Sequence, residues 1–269
     1  MVDLSTSHPA IFAPLLAGMG MTVTAVLDQD RTMPGAVAVG SLRELAEHCD
    51  VVMLLGADWD TRFAQVTELA ALGMPVFVDK PMAGMAGELW RLAALADGPA
   101  RIDGGSALRV APEARVLAGS AHVDVACAGH PFYYGVHAVA LATAVLGPGL
   151  VAAWAEPGEV DRALTGTVRH VSGATAGVSV ALADRAGGFV ATTPDRRVEP
   201  AAEAFYPALL VDTLTRLTTQ ADTRPGRELV ECELALLAMA WSAGHGGVPV
   251  ALADVPADFH PWHGDAPHR

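Results

Sequence analysis

Through the first 110 residues the apolar positions arrive in short packets that switch between strand and helix spacing. Met1–Leu4 is a brief apolar start, followed by the turn Ser5–Thr6–Ser7–His8–Pro9 and a helix-like segment from Pro9 to about Leu16. Met21–Leu27 is a β-branched run ending on Asp28, and Ala36–Val39 reads as a short strand. Ser41 with Glu44 three residues on has capping-box spacing and predicts a helix over Ser41–His48. Val51–Leu55 is a continuous apolar run of the kind that fills parallel strands covered on both faces. Asp60 to about Leu72 reads as helical with Asp60 as its cap, and Pro75–Val78 as a strand. Strands and helices alternating at such intervals imply βαβ units and a parallel sheet.

After about Leu108 the rhythm changes. His122–Ala128 reads as a strand, and Gly135–Leu146 as an apolar helix stopped by Gly147–Pro148–Gly149. Strand-like runs follow at Val151–Ala155, Leu164–Val171, Ala176–Leu182 and Gly188–Thr192, separated by Gly, Asp and Pro turns that favour an antiparallel sheet. Two helices, about Ala202–Thr219 and Arg227–Ala243, close the body, and the tail from Val255 reads as irregular and solvated, its His260, His263 and His268 included. The predicted class is therefore α/β. A mostly parallel sheet with flanking helices over residues 1–108 is expected to precede a second domain over 109–269 with a mostly antiparallel sheet. Ala176–Ala183 carries apolar residues on both faces, so that sheet is expected to pair with another copy as a homodimer or homotetramer.

Composition narrows the function. Hydrophobic residues are 52% and charged residues 17% of the chain, enough apolar material for a large core, yet no run is long enough to span a bilayer. No secretory signal is visible, and a cytoplasmic location is expected. A net charge of −13 argues against nucleic acid or anionic membrane as partner and leaves a small-molecule substrate. Cys49, Cys127 and Cys232, without CxxC spacing, read as free thiols, and no metal site is expected. Among 17 basic residues Lys80 is the sole lysine, where arginine cannot replace a compact, titratable ammonium.

That lysine stands in the most informative stretch, Val76–Phe77–Val78–Asp79–Lys80–Pro81. A strand delivers an acid, a lysine and a proline at its C-terminal end, which is where ligands bind in open parallel sheets. A lysine there can stabilise the alkoxide-like charge that develops as a hydride leaves a hydroxyl carbon. Asp28, ending the second strand, stands where an acid accepts ribose hydroxyls and disfavours a 2′-phosphate.

Cys49–Pro81, with its acid-Lys-Pro end, and Tyr133–Tyr134–Gly135–Val136–His137 running into Ala138–Gly149 resemble the Gfo/Idh/MocA oxidoreductases, named for glucose–fructose oxidoreductase and inositol dehydrogenase. Gly104–Arg109 fits that family's crossing between domains. The resemblance implies a Rossmann-like domain over 1–108 followed by an α/β domain over 109–269 with an open, mostly antiparallel sheet, NAD or NADP as cofactor, no metal, and a sugar- or polyol-like substrate oxidised or reduced at a hydroxyl or carbonyl. It implies Lys80 and His137 as catalytic groups, with His137 as base, and Ser5, Thr6, Ser7, His8, Asp28 and Asp79 on the cofactor side. Tyr133 stands where an aspartate is usual and becomes a possible proton donor; Arg109 and Tyr134 face substrate, unless Arg109 serves an interdomain salt bridge. Other departures are Ala140 for a second acid, Arg62 for a histidine, and Asp3–Pro9 in place of G-x-G-x-x-G, although some branches carry a Thr-Ser-His turn there. Two alternatives stay open: a lyase, isomerase or cyclase with an eroded cofactor site, and a non-catalytic binding protein.

Overall fold

The computed structural model describes residues 1–183, 187–219 and 223–264, so His268 lies outside the described residues. Its first part runs α1 (His8–Gly18), β1 (Ala25–Val26), β2 (Val37–Ala38), α2 (Leu42–Ala46), β3 (Val52–Leu54), α3 (Arg62–Ala71), β4 (Val76–Val78), α4 (Ala86–Ala96) and β5 (Ile102–Gly104). β1 pairs with β2, and β3 with β4 and β4 with β5, all parallel. Val2 bridges both Leu27 and Leu54 in parallel, which joins the two groups edge to edge into one surface. All three residues of β3 and of β4 are buried, as their unbroken apolar runs require when both faces are covered. At Ser41 the predicted cap forms. Its side chain accepts from the Glu44 N–H at 3.1 Å, and Glu44 in return accepts from the Gly40 N–H at 2.8 Å.

The second part comprises β6 (His122–Ala128), α5 (Gly135–Leu146), β7 (Leu150–Ala155), β8 (Ala163–His170), β9 (Thr175–Ala181), β10 (Gly187–Thr192), β11 (Arg197–Val198), α6 (Ala202–Thr218), α7 (Gly226–Gly244) and β12 (Val250–Ala251). Its seven strands lie in the order β11-β10-β6-β9-β8-β7-β12. The sheet is mostly antiparallel, but β6 and β9 pair in parallel over their full length, so the expected antiparallel ladder is mixed. α5 and α7 cover one face; α5, with Gly135 to Thr143 all buried, is core around its whole circumference. On β9 the inward residues are Ala176, Val178 and Val180. The outward ones are Thr175, Gly177, Ser179 and Ala181, so the other face is small and mixed rather than apolar, contrary to expectation.

Two placements differ from the sequence reading in ways that shape the site. α6 returns to the parallel sheet, packing on β4, β5 and α1 with Tyr206 against Phe12, ring centroids 5.6 Å apart. The tail is docked rather than solvated: Trp262 is 3% exposed and stacks on Phe132 at 5.1 Å, because its large apolar ring has a matching ring to cover. Asp60 is not the cap of α3, whose N-cap is Thr61; its carboxylate instead faces that tail.

Candidate functional site

β4 ends at Val78, and the next two residues are driven inward: Asp79 is 1% and Lys80 2% exposed. Glycine at the neighbouring strand end makes room, since a Cβ on Gly104 (φ 143°) would run into the Val78 carbonyl. From α7, Glu233 accepts the Met82 N–H at 3.0 Å and fixes the turn after Lys80. The Lys80 ammonium lies over the Tyr133 ring, 3.1 Å from its centroid, and 5.8 Å from that of Tyr134. Burial pushes Lys80 down to about 7; Asp79 and Glu233 resist this and Arg62 adds to it. The one lysine of the chain is thereby a group that exchanges its proton near neutrality.

Asp79 is held as a carboxylate. Burial opposes its ionisation, but the charges of His8, Lys80 and Arg62 and the His8 hydrogen bond outweigh that and keep it below its usual range. His8 Nδ1 lies 2.5 Å from Asp79 Oδ2, and His8 Nε2 lies 3.3 Å from the Tyr206 hydroxyl. With Asp79 ionised, His8 Nδ1–H donates to it, and Nε2 faces the Tyr206 hydroxyl. The His8 ring stacks on Phe12 at 5.0 Å. His8 and Asp79, expected on the cofactor side, thus spend their polar atoms on each other. Tyr206, reaching across from α6, was not foreseen.

His137 sits in the first turn of α5, 7% exposed. Its Nδ1 is 2.6 Å from the Ser106 hydroxyl, which also receives the Leu108 N–H at 3.3 Å. The Phe189 ring packs edge-on at 5.0 Å. Burial first, then the charges of Lys80 and His8, hold His137 well below the usual histidine range, so the ring is neutral at pH 7. Its dependence on Lys80 also places the two groups in one electrostatic environment. The Tyr134 ring lies 6.2 Å from the His137 ring and 5.8 Å from the Lys80 ammonium.

Tyr133 offers Lys80 its ring face rather than its hydroxyl, and burial pushes that hydroxyl well above the usual phenol range. Arg62 donates to the carbonyls of Leu54 at 3.3 Å, of Asp79 at 2.6 Å and of Gly56, so it clamps strand ends where a histidine was looked for. Arg109 points to α7: it donates to the Leu229 carbonyl at 3.1 Å and feels Cys232 and Glu233. Ala140 is fully buried in α5.

At the edge formed by Val2, Leu27 and α3, a groove of about 470 Å³ is lined by Asp3, Ser5, Asp28, Asp30, Arg31 and Gln65, among others. The Asp28 carboxylate accepts the N–H groups of Leu4 (2.6 Å), Asp30 (2.9 Å) and Arg31 (2.8 Å). Three of roughly four acceptor positions are used, and one is left for a ribose hydroxyl. Ser5 and Ser7 are exposed at the start of α1 beside the exposed Arg31, whereas Thr6 donates to the Leu55 carbonyl at 3.1 Å. Asp3, at φ 61°, lays its carboxylate against Gly56, where any Cβ would collide with it, and Arg62 offsets its charge from the other side. This donor set fits a dinucleotide: hydroxyls, a guanidinium and a helix N-terminus for phosphate, and an acid for ribose. A second hollow, about 560 Å³ between Met21, Cys49 and Leu214, opens at the opposite, N-terminal end of these strands.

No family model and no curated protein matches the chain by sequence. Its fold is nevertheless that of solved dehydrogenases, matched over most of the chain. GenD2 from gentamicin A biosynthesis, solved in complex with NAD, aligns at 18% identity and TM-score 0.76 over 93% of this chain and 94% of its own. UDP-N-acetylglucosamine 3-dehydrogenase GnnA from Acidithiobacillus ferrooxidans aligns at 13% identity and TM-score 0.73, covering 91% and 96%. Scyllo-inositol dehydrogenase from Lactobacillus casei aligns at 12% identity and TM-score 0.70, covering 94% and 97%.

Proposed function

We propose that this chain is a nicotinamide-dependent oxidoreductase acting on a hydroxyl or carbonyl of a small sugar- or polyol-like metabolite. The observation that carries the reading is Lys80: the one lysine of the chain is buried just past the end of a parallel strand, its ammonium over the Tyr133 ring. A bound nicotinamide would supply or accept the hydride, with its adenosine ribose at Asp28 and its phosphates at Ser5, Ser7 and Arg31. The rest belongs to side chains. In the oxidising direction neutral Lys80 Nζ takes the proton of the substrate hydroxyl; in the reducing direction its ammonium returns one. His137, neutral and pinned through Nδ1 by Ser106, turns Nε2 toward the same oxygen and fixes its position. Tyr133 floors the site with its ring face, and Asp79, tied to His8, keeps a compensating negative charge beside Lys80. Tyr134 completes the wall on the substrate side, while Arg109 holds α7 to the turn after β5.

The test is nicotinamide absorbance with purified protein, NAD and a panel of sugars and polyols. Turnover with at least one is expected, and cofactor binding with none oxidised would sink the assignment. NAD is expected to bind more tightly than NADP, because a 2′-phosphate would meet Asp28 and Asp30. Equal or tighter NADP binding, read as a ratio of dissociation constants, would mean Arg31 decides instead. One observation favours the non-redox alternative: Asp3 places an acid where glycine usually lets a diphosphate approach. In that case Lys80 and His137 would act on substrate alone, and neither dinucleotide would bind.

The chain is further expected to form a homodimer or homotetramer through the uncovered face of the seven-stranded sheet. Its small outward residues Gly177, Ser179 and Ala181 allow another sheet to approach closely. Light scattering at micromolar concentration checks this; a monomer would count against it.

A further inference from the structure

Outside the Lys80 site, one group of side chains among the described residues has the chemistry of a metal centre. Asp60 lies in the loop leading into α3, and His260 and His263 lie in the tail, brought to it across 200 residues of sequence. His260 Nε2 is 2.8 Å from Asp60 Oδ1, His263 Nδ1 is 3.7 Å from Asp60 Oδ2, and the three ligand atoms all fall within 4.8 Å of one another. The two imidazoles meet edge to face at 4.5 Å. A zinc ion held at about 2.0–2.2 Å by nitrogen and oxygen needs ligand atoms roughly 3.2–3.6 Å apart, so small side-chain rotations suffice.

What sets this group apart from chance surface neighbours is how firmly its parts are placed. His260 and His263 flank Pro261 and Trp262, and Trp262 is buried against Phe132 while its carbonyl accepts the Trp59 indole N–H at 3.4 Å. Gly264 N–H donates to Asp60 Oδ2 at 3.0 Å, which orients the carboxylate and leaves Oδ1 toward His260. Gly84 matters too, since a Cβ there would come within 2.8 Å of His260 Nε2. At the start of α4, half-buried Glu88 feels the charges of both His260 and Asp60, which puts a second carboxylate in the neighbourhood. The ordering cost of bringing two histidines to one acid has already been met by the docked tail.

We propose that Asp60, His260 and His263 bind a divalent transition-metal ion of the zinc type, which fastens the C-terminal segment to the loop between β3 and α3. Two imidazoles and one carboxylate select zinc, cobalt or nickel over calcium or magnesium. Glu88 or water fills the fourth position. The ion takes no part in the chemistry at Lys80; it braces the wall formed by Trp59, which packs on Phe132 and Tyr133 at 5.2 and 6.1 Å.

The experiment uses the full chain without a polyhistidine tag, stripped with chelator and then titrated with Zn²⁺ by calorimetry and with Co²⁺ by visible absorption. One equivalent should bind, Co²⁺ should give the intense bands of tetrahedral coordination, and Zn²⁺ should raise the melting temperature. Asp60→Asn, His260→Gln and His263→Gln should each weaken binding by at least about tenfold and remove the thermal gain. His263 is exposed, so its variant folds whatever becomes of the others. Absence of saturable binding would overturn the proposal and leave a metal-free hydrogen-bonded clip. So would Zn²⁺ affinity unchanged in the His260→Gln/His263→Gln double variant, which would place the ion elsewhere. Neither result bears on the oxidoreductase reading, whose groups are separate.

Discussion

Replacing Lys80 by methionine should lower turnover by roughly 10²–10⁴-fold, the range for a positioned acid–base group, while leaving the fold intact. Methionine keeps the unbranched stem that fills the space over the Tyr133 ring and removes only the ammonium. The pH dependence makes the assignment specific. In the oxidising direction the rate should rise through about pH 7 as Lys80 loses its proton, and in the reducing direction it should fall over the same interval. Stability moves with the same group. Its folded pKa lies below the unfolded value of 10.5, so between about pH 7 and 10.5 the unfolded chain binds a proton that the native one lacks. Native stability therefore gains as pH rises through that window, and the cost of burying the ammonium is fully present below it. Lys80→Met removes that cost and should melt at the same temperature or higher near pH 7. A variant that is inactive because it is unfolded would show itself in the same melting curve.

His137→Ala should bring a loss of similar size, roughly 10²–10⁴-fold, but with a different signature. Because burial, Lys80 and His8 keep His137 neutral at pH 7, the rise in rate near neutrality does not belong to it. His137→Gln should turn over slowly and keep that pH limb, whereas Lys80→Met should lose the limb. Tyr133→Phe preserves the ring face under Lys80 and should stay near normal. Tyr133→Leu removes the face and should move the limb to lower pH, since the ring favours the charged amine. A large loss in Tyr133→Phe would restore the hydroxyl to the role of proton donor.

These roles differ from what the sequence suggests, and the difference is one of environment. That Lys80 ends a parallel strand and that His137 opens a helix over Gly135–Leu146 can both be read from residue order, since each rests on local signals. Which of the two titrates near neutrality depends on burial and on neighbours from distant segments, and a histidine's ordinary pKa misleads once the ring is enclosed. The same applies to His8, whose partner Tyr206 lies 198 residues away on a helix that crosses back to the first sheet. That helix contains Pro207 and still runs from Ala202 to Thr218. β5 carries no apolar run, only Ile102–Asp103–Gly104, so β4 on one side and not its own pattern makes it a strand. Parallel pairing of β6 with β9 is a choice of partner, which strand propensity does not encode. The tail reads as polar and breaks regular spacing, yet one tryptophan with a waiting aromatic surface is enough to dock it.

The proposed oxidoreductase would hold a nicotinamide dinucleotide at the edge formed by Asp28, with Lys80 at the reacting end. Calorimetric titration of the purified chain with NAD tests it most directly. Saturable binding of one equivalent is expected in roughly the micromolar-to-millimolar range usual for enzyme ligands, weakened in Asp28→Ala and unchanged in Lys80→Met. Absence of heat and of saturation at millimolar NAD, in protein shown to be folded, would contradict it.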